Sequence, residues 1–315
     1  MTERCILCGE TAAIPRYSGT DVRLKTTDEP FTVVACSSCG MMRLSPMPSP
    51  ERVGSFYPES YWFAPNESAG ARLAEAYRRF VLRDHLRFAS QALQDLEQKG
   101  RLLDVGCGGG LFLGMMKQRG WDVVGLDFSA EASEVARKSQ DVHVEVGSLE
   151  HAPFPPESFA AISMFHVMEH LIDPGAYLDA AKRLLKPGGR LIVQVPDAGT
   201  LGLKIFGSRW NPLDIPRHLQ HFRGKDLERL LRDHGFEVLR RKHFSLRDDA
   251  PGIVSSLFPG LDPMTRRIRV KDEGNTTRLL KDLLVLGLSV AVLPFAIFTA
   301  TLGSGLTIMI EARKP

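Results

Sequence analysis

A run of glycines between a short apolar segment and an amphipathic one constrains this chain most: Leu102-Leu-Asp-Val105 leads into Gly106-Cys-Gly-Gly-Gly110, and a helical pattern runs from Leu111 to Gly120. A strand that breaks into glycines can turn sharply and bring its backbone against a ligand. The helix that follows offers that ligand the bare amides of its first turn. The rhythm then repeats: Val123–Leu126, Val142–Val146, Phe159–Met164, Arg190–Val195 and Phe236–Arg240 read as further strands, and the helix Ala176–Leu185 is stopped by Lys186-Pro-Gly-Gly189. Apolar strands alternating with helices predict an α/β domain, a parallel sheet with crossover helices, over residues 100–243.

Two cysteine knuckles precede it, Cys5-Ile-Leu-Cys8-Gly9 and Cys36-Ser-Ser-Cys39-Gly40. A CxxC turn aims two thiolates at one point, and the glycine after it permits the positive φ that such a turn needs. Two such turns make a closed four-sulfur site, which reads as structural zinc (Zn) rather than catalytic zinc. The 27 residues between the pairs include an apolar run, Phe31-Thr-Val-Val-Ala35, that reads as a strand. A module of residues 1–45 buries little apolar surface, so the metal is expected to supply its folding energy. Residues 46–99 hold a Pro-rich linker, Ser45-Pro-Met-Pro-Ser-Pro50, the aromatics Phe56-Tyr57 and Tyr61-Trp62-Phe63, and a helical pattern over Ala71–Glu97. The aromatics serve either as a lid or as packing against the next domain.

Two carboxylates sharpen the glycine turn. Asp104 lies within the first strand end, where a pyrophosphate would be repelled and an ammonium group attracted. Asp127 ends the second strand, 19 residues after Gly108, and suits the hydroxyls of a ribose. A ligand with both groups is S-adenosylmethionine (SAM). Together with Gly125-Leu-Asp127, Phe165-His-Val-Met-Glu-His170-Leu-Ile-Asp-Pro174 and Leu185-Lys-Pro-Gly-Gly189, the segment Leu103–Gly110 resembles the class I SAM-dependent methyltransferases. The front-end knuckles resemble those of the branch with an N-terminal zinc-binding domain. The resemblance implies a Rossmann-like methyltransferase sheet with the zinc-knuckle module in front. It places Asp104, Gly106, Cys107, Gly108 and Gly110 around the methionine part and Asp127 on the ribose with Phe128 beside it. Ser148 and Leu149 flank the adenine, and Phe165 lies near the sulfonium end; Ser148 stands where the family often has Asp.

Methyl transfer needs an aligned acceptor and, for a hydroxyl or an acidic carbon, a base. His166, Glu169 and His170 follow the fourth strand, and at helical spacing His166 and His170 would share a face. His218 and His221 lie in Trp210–Phe222 after the fifth strand, which reads as a substrate-facing loop. His218 or His221 is therefore the expected base, with His170 supporting or sharing that role and His166 a further catalytic candidate; alternatively His166, Glu169 and His170 help hold a divalent metal, or His170 only orients the loop. His85, His143, His151, His234 and His243 are expected at the surface, and Cys107 in packing.

The formal charge is only +3, which gives no global field for nucleic acid. The N-terminus lacks the apolar stretch of a signal peptide, and the cysteine usage fits a reducing, cytoplasmic setting. Residues 244–302 are expected to form an irregular loop, over Arg247–Asn275, and then an apolar helical cap. Its 20 uncharged residues, Leu283–Leu302, have the length of a membrane span. However, Leu306–Arg313 reads as a last strand returning within 303–315, so the run is expected to be buried or to make peripheral membrane contact rather than to cross. The acceptor is a small molecule, a sugar or a lipid-linked molecule. The rival readings are an NAD-dependent oxidoreductase on the same topology and a non-catalytic zinc/nucleoside-binding module.

Overall fold

Strands β1 (Ala13–Gly19), β2 (Phe31–Cys36) and β3 (Met42–Ser45) form an antiparallel N-terminal sheet in this computed structural model, which describes residues 3–58, 61, 69–94, 96, 100–270 and 273–315. Trp62 and Phe63 of the aromatic stretch lie outside the described residues. Strands β4 (Arg101–Val105), β5 (Asp122–Asp127), β6 (His143–Val146), β7 (Phe159–Phe165) and β8 (Leu185–Pro196) follow. The last three are β9 (Gln220–His221), β10 (Glu237–Lys242) and β11 (Thr307–Arg313).

The central sheet has the order β6-β5-β4-β7-β8-β11-β10, parallel except for β11, which runs antiparallel to both of its neighbours. Successive side chains of a strand face opposite ways. Leu103, Ile162 and Leu191 accordingly join one core layer, and Leu102, Ala161 and Ile192 join the other. The helices are α1 (Pro50–Val53), α2 (Ala69–Ala92), α3 (Leu111–Lys117), α4 (Ala130–Gln140), α5 (Pro174–Leu184), α6 (Leu201–Phe206), α7 (Gly224–Asp233), α8 (Asp249–Leu257), α9 (Pro263–Arg269) and α10 (Asn275–Thr301). Leu178, Leu184, Leu227 and Leu231 bring α5 and α7 onto the first layer, and Leu86, Phe112 and Ala136 bring α2, α3 and α4 onto the second.

Several expectations are corrected. The stretch Arg247–Asn275 is mostly helical rather than irregular, because the residues that read as loop formers start helices. Asp262 caps α9 by accepting from the Thr265 amide (2.7 Å) with Pro263 in its first turn, and Pro251 sits early in α8. His85 is wholly buried, its ring edge-on to Phe165 at 5.1 Å, and burial lowers its pKa to about 4. His166 and His170 share no helical face. His166 takes a left-handed φ of 57° at the end of β7, and only one 3-10 turn, Met168–His170, follows.

The loop after β8 supplies β9, which pairs with β3 (Met42 opposite His221) and so completes the N-terminal sheet. The Trp210–Phe222 segment is thus largely interior: Trp210 is 2% exposed and His221 3%. The apolar run is continuous helix through Pro294, and it is mostly exposed rather than buried.

Candidate active site

The carboxyl ends of the parallel strands converge on the glycine turn. Gly106 and Gly110 both have positive φ (69° and 71°). A Cβ on Gly106 would fall 2.7 Å from Val167 Cγ2, and one on Gly110 would fall 2.8 Å from Ala136 Cβ. Asp127 accepts hydrogen bonds from the amides of Gly108 (2.8 Å) and Ser129 (2.9 Å), which fix its carboxylate beside the turn. Burial raises its pKa. Burial likewise raises Asp104 to about 7, with Ser163 Oγ donating to it at 2.6 Å. Burial destabilises a carboxylate in its charged form, and a ligand ammonium beside it would reverse that. Phe128 is exposed next to Asp127, Ser148 follows β6, and Phe165 ends β7 against Phe112 at 5.0 Å. Leu149 is wholly buried, so its side chain belongs to the core. Cys107 packs toward Gly125, and burial pushes its thiol pKa up.

The four histidines separate into two groups. His166 is clamped between Glu169 (Nδ1 to Oε1, 3.0 Å) and Asp248 (Nε2 to Oδ2, 3.3 Å). Burial pulls its pKa down, but the two carboxylates prevail and raise it to about 9. It is a cation at neutral pH, which suits it poorly for taking a proton. His170, His218 and His221 form the second group, with ring centroids 4.7 Å and 6.5 Å apart along the series. His218 Nδ1 donates to the Pro212 carbonyl (2.8 Å). Burial, reinforced by neighbouring rings, lowers His218 to about 4 and His221 to about 3. His170 is more open. Its Nδ1 lies 3.1 Å from the Arg217 carbonyl and 2.8 Å from Tyr57 Oη. A carbonyl only accepts, so Nδ1 carries the proton and Nε2 presents a basic lone pair.

Residues 73–241 match the family model described as a methyltransferase domain, a little over half of the chain. The chain belongs to the methyltransferase domain family. Among curated proteins it is similar to the ubiquinone biosynthesis O-methyltransferases of Xanthomonas oryzae pv. oryzae (35% identical over 131 residues, 39% of this chain and 55% of that one) and Alkalilimnicola ehrlichii (40% over 113 residues, 34% and 45%). The chain thus spans about half the length of the curated relatives it matches. Among solved structures, a SAM-dependent methyltransferase from Archaeoglobus fulgidus is similar in fold, with a TM-score of 0.50 and 17% identity over 78% of this chain and all of that one. Residues 73–241 are thus a methyltransferase domain, built on a Rossmann-like sheet.

The methyltransferase carries its four N-terminal thiols as one cluster. Cys5 Sγ lies 3.5 Å from Cys39 Sγ and Cys8 Sγ lies 3.5 Å from Cys36 Sγ, so each close contact joins one knuckle to the other; all four sulfurs lie within 4.8 Å of one another. Sulfurs bound to one tetrahedral zinc would sit about 3.8 Å apart, so the donor set fits that ion. Gly9 and Gly40 both hold positive φ after the knuckles.

Sequence reasoning missed the parts that connect this module to the methyltransferase site. Asp21, between β1 and β2, binds both terminal nitrogens of Arg217 at 2.8 Å, and both side chains are fully buried. Arg223 Nη2 donates to the Cys39 carbonyl (2.7 Å). Tyr57, read only as lid or packing, reaches His170, and Asp248 holds His166. An isolated Asp in a loop and an Arg before His218 carry no motif; only the fold brings them together.

Proposed function

We propose that the enzyme transfers the SAM methyl group to an acidic hydroxyl of a small-molecule acceptor, with His170 as general base. The observation that carries this is the Arg217 carbonyl on His170 Nδ1, which leaves Nε2 as the proton acceptor. The names of the curated relatives, O-methyltransferases of ubiquinone biosynthesis, support a phenolic hydroxyl over an activated carbon. Asp104, the Gly106–Gly110 turn, Asp127, Phe128, Ser148 and Phe165 would hold the cofactor. Bound SAM supplies the electrophilic methyl; the chain aligns the acceptor and takes up its proton. The N-terminal module would be the zinc-binding domain of the branch that the knuckles resemble, with its four thiols kept reduced in a cytoplasmic setting.

His170→Gln should lower transfer of labelled methyl to a phenolic acceptor by at least about a hundredfold while leaving affinity for S-adenosylhomocysteine intact. Undiminished turnover would remove His170 from the mechanism. A second reading rests on Glu169, His170 and His218, whose ligand atoms lie within 4.8 Å of one another, and on Glu169 Oε2, buried without a hydrogen-bond partner. That trio could hold a divalent cation, with His218 in place of the turned-away His166. A rate lost on chelation and restored by magnesium alone would favour it.

A further inference from the structure

Helix α10 turns its large apolar side chains outward. Leu280, Leu283, Val290, Phe295, Phe298 and Leu302 are 48–62% exposed, whereas the buried seam against α8 holds Val285, Ser289, Ala296 and Thr299. A surface helix in water shows the reverse pattern. The helix is long and apolar enough to cross a bilayer, with an 18-residue stretch of mean hydropathy 2.4. Both of its ends, however, are tied to the same domain. Asp282 near its start pairs with Arg266 of α9. Just past its end, the Ser304 carbonyl accepts from Thr200 Oγ1 (2.9 Å) and Ser304 Oγ accepts from the Leu201 amide (2.7 Å). Strand β11 then enters the sheet beside β8. A spanning helix would have to place one of these ends across the membrane.

Charge identifies the occupant of this face. From Arg266 to Asp282 the sequence has six Lys and Arg against three Asp and Glu, a net +3 equal to that of the whole chain. Next to it a cavity of about 350 Å³ is lined by Arg269, Asn211 and Asp262, and by Arg23 and Arg266, which are paired with Asp262 and with Glu273 and Asp282 respectively. An apolar helix with a basic foot matches an anionic bilayer surface, acyl chains along the helix and headgroups at the foot. We propose that α10 lies flat in the boundary of an anionic phospholipid bilayer and seats the enzyme there. The proposal is independent of the acceptor assignment above.

The test is flotation of the full-length protein with phosphatidylcholine vesicles with and without phosphatidylglycerol, alongside titration with S-adenosylhomocysteine. The wild type should float, more strongly with the anionic lipid. The exposed-site double variant Val290→Glu, Phe298→Glu should lose at least about tenfold in vesicle affinity. Its S-adenosylhomocysteine affinity should not change, which separates this result from failure of the cofactor site. A wild type that binds S-adenosylhomocysteine but does not float would overturn the proposal. So would flotation unaffected by the double variant, or a lipid-free dimer that the same substitutions dissociate in a protein that does not float, which would make a second copy the occupant.

Discussion

Cys36→Ser is expected to release zinc from a wild type that holds one ion per chain and to abolish cooperative folding of the N-terminal sheet. Structural zinc supplies on the order of 10–16 kcal/mol of apparent binding free energy in small zinc modules, most of which is folding free energy. The module has little to replace it. Its apolar side chains, Phe31, Val33 and Leu44 among them, are buried largely by contact with the loop that carries Trp210 and Leu219. The damage should therefore reach the histidine cluster, because β9 pairs with β3 and Arg223 anchors to the Cys39 carbonyl. The cofactor cradle stands on β4 and β5, so binding of S-adenosylhomocysteine should survive while methyl transfer is lost. Metal analysis and thermal unfolding check this: a variant as stable as the wild type, with no zinc in either, would show that the four thiols fold the module unaided.

Asp21→Ala isolates one link in that chain of contacts. Arg217 is fully buried and is neutralised by Asp21 and by Asp214, which lies 2.7 Å from Nη2. Removing one partner of a buried pair typically costs about 3–5 kcal/mol when the remaining charge is left uncompensated; Asp214 still faces Arg217 here, so the loss should lie toward or below the lower end of that range. Asp21 also takes the amides of Leu24 and Thr26, so the β1–β2 loop would loosen as well. The backbone carbonyl of the same Arg217 fixes the His170 tautomer, so turnover should fall while cofactor affinity does not. Asp21→Glu, which keeps the charge, should recover part of both losses. Denaturant unfolding in which Asp21→Ala matches the wild type to within about 1 kcal/mol would contradict this account of the buried pair.

The sheet was legible in the sequence because its signal is local: β4, β5, β6 and β8 are short runs closed by Gly, Asp or Pro, and Leu185-Lys-Pro-Gly-Gly189 marks the return after α5. The glycine turn and Asp127 were legible for the same reason, since the backbone geometry they provide is a property of a few adjacent residues. The knuckles were equally plain. The histidine cluster was legible only as a set of candidates. Its chemistry depends on which hydroxyl, carbonyl or carboxylate faces each ring, and those partners come from positions 57, 212, 217 and 248, far apart in the chain. His166 illustrates this: its spacing from His170 fitted a helix, but the chain bends at a left-handed residue and turns it toward Asp248. His85 misled for the converse reason, because a lone histidine in a helix rich in Ala and Arg gives no sign that tertiary packing will bury it.

The central claim, a cofactor cradle built from the Gly106–Gly110 turn and Asp127, is tested most directly by calorimetric titration with S-adenosylhomocysteine, with NAD as the control. The wild type should bind the former at micromolar levels and NAD not at all. Asp127→Ala, at an unchanged melting temperature, should weaken binding by roughly 10- to 100-fold, the loss of hydrogen bonds to a charged group. Unchanged affinity in that variant, or binding of NAD in place of S-adenosylhomocysteine, would contradict the account.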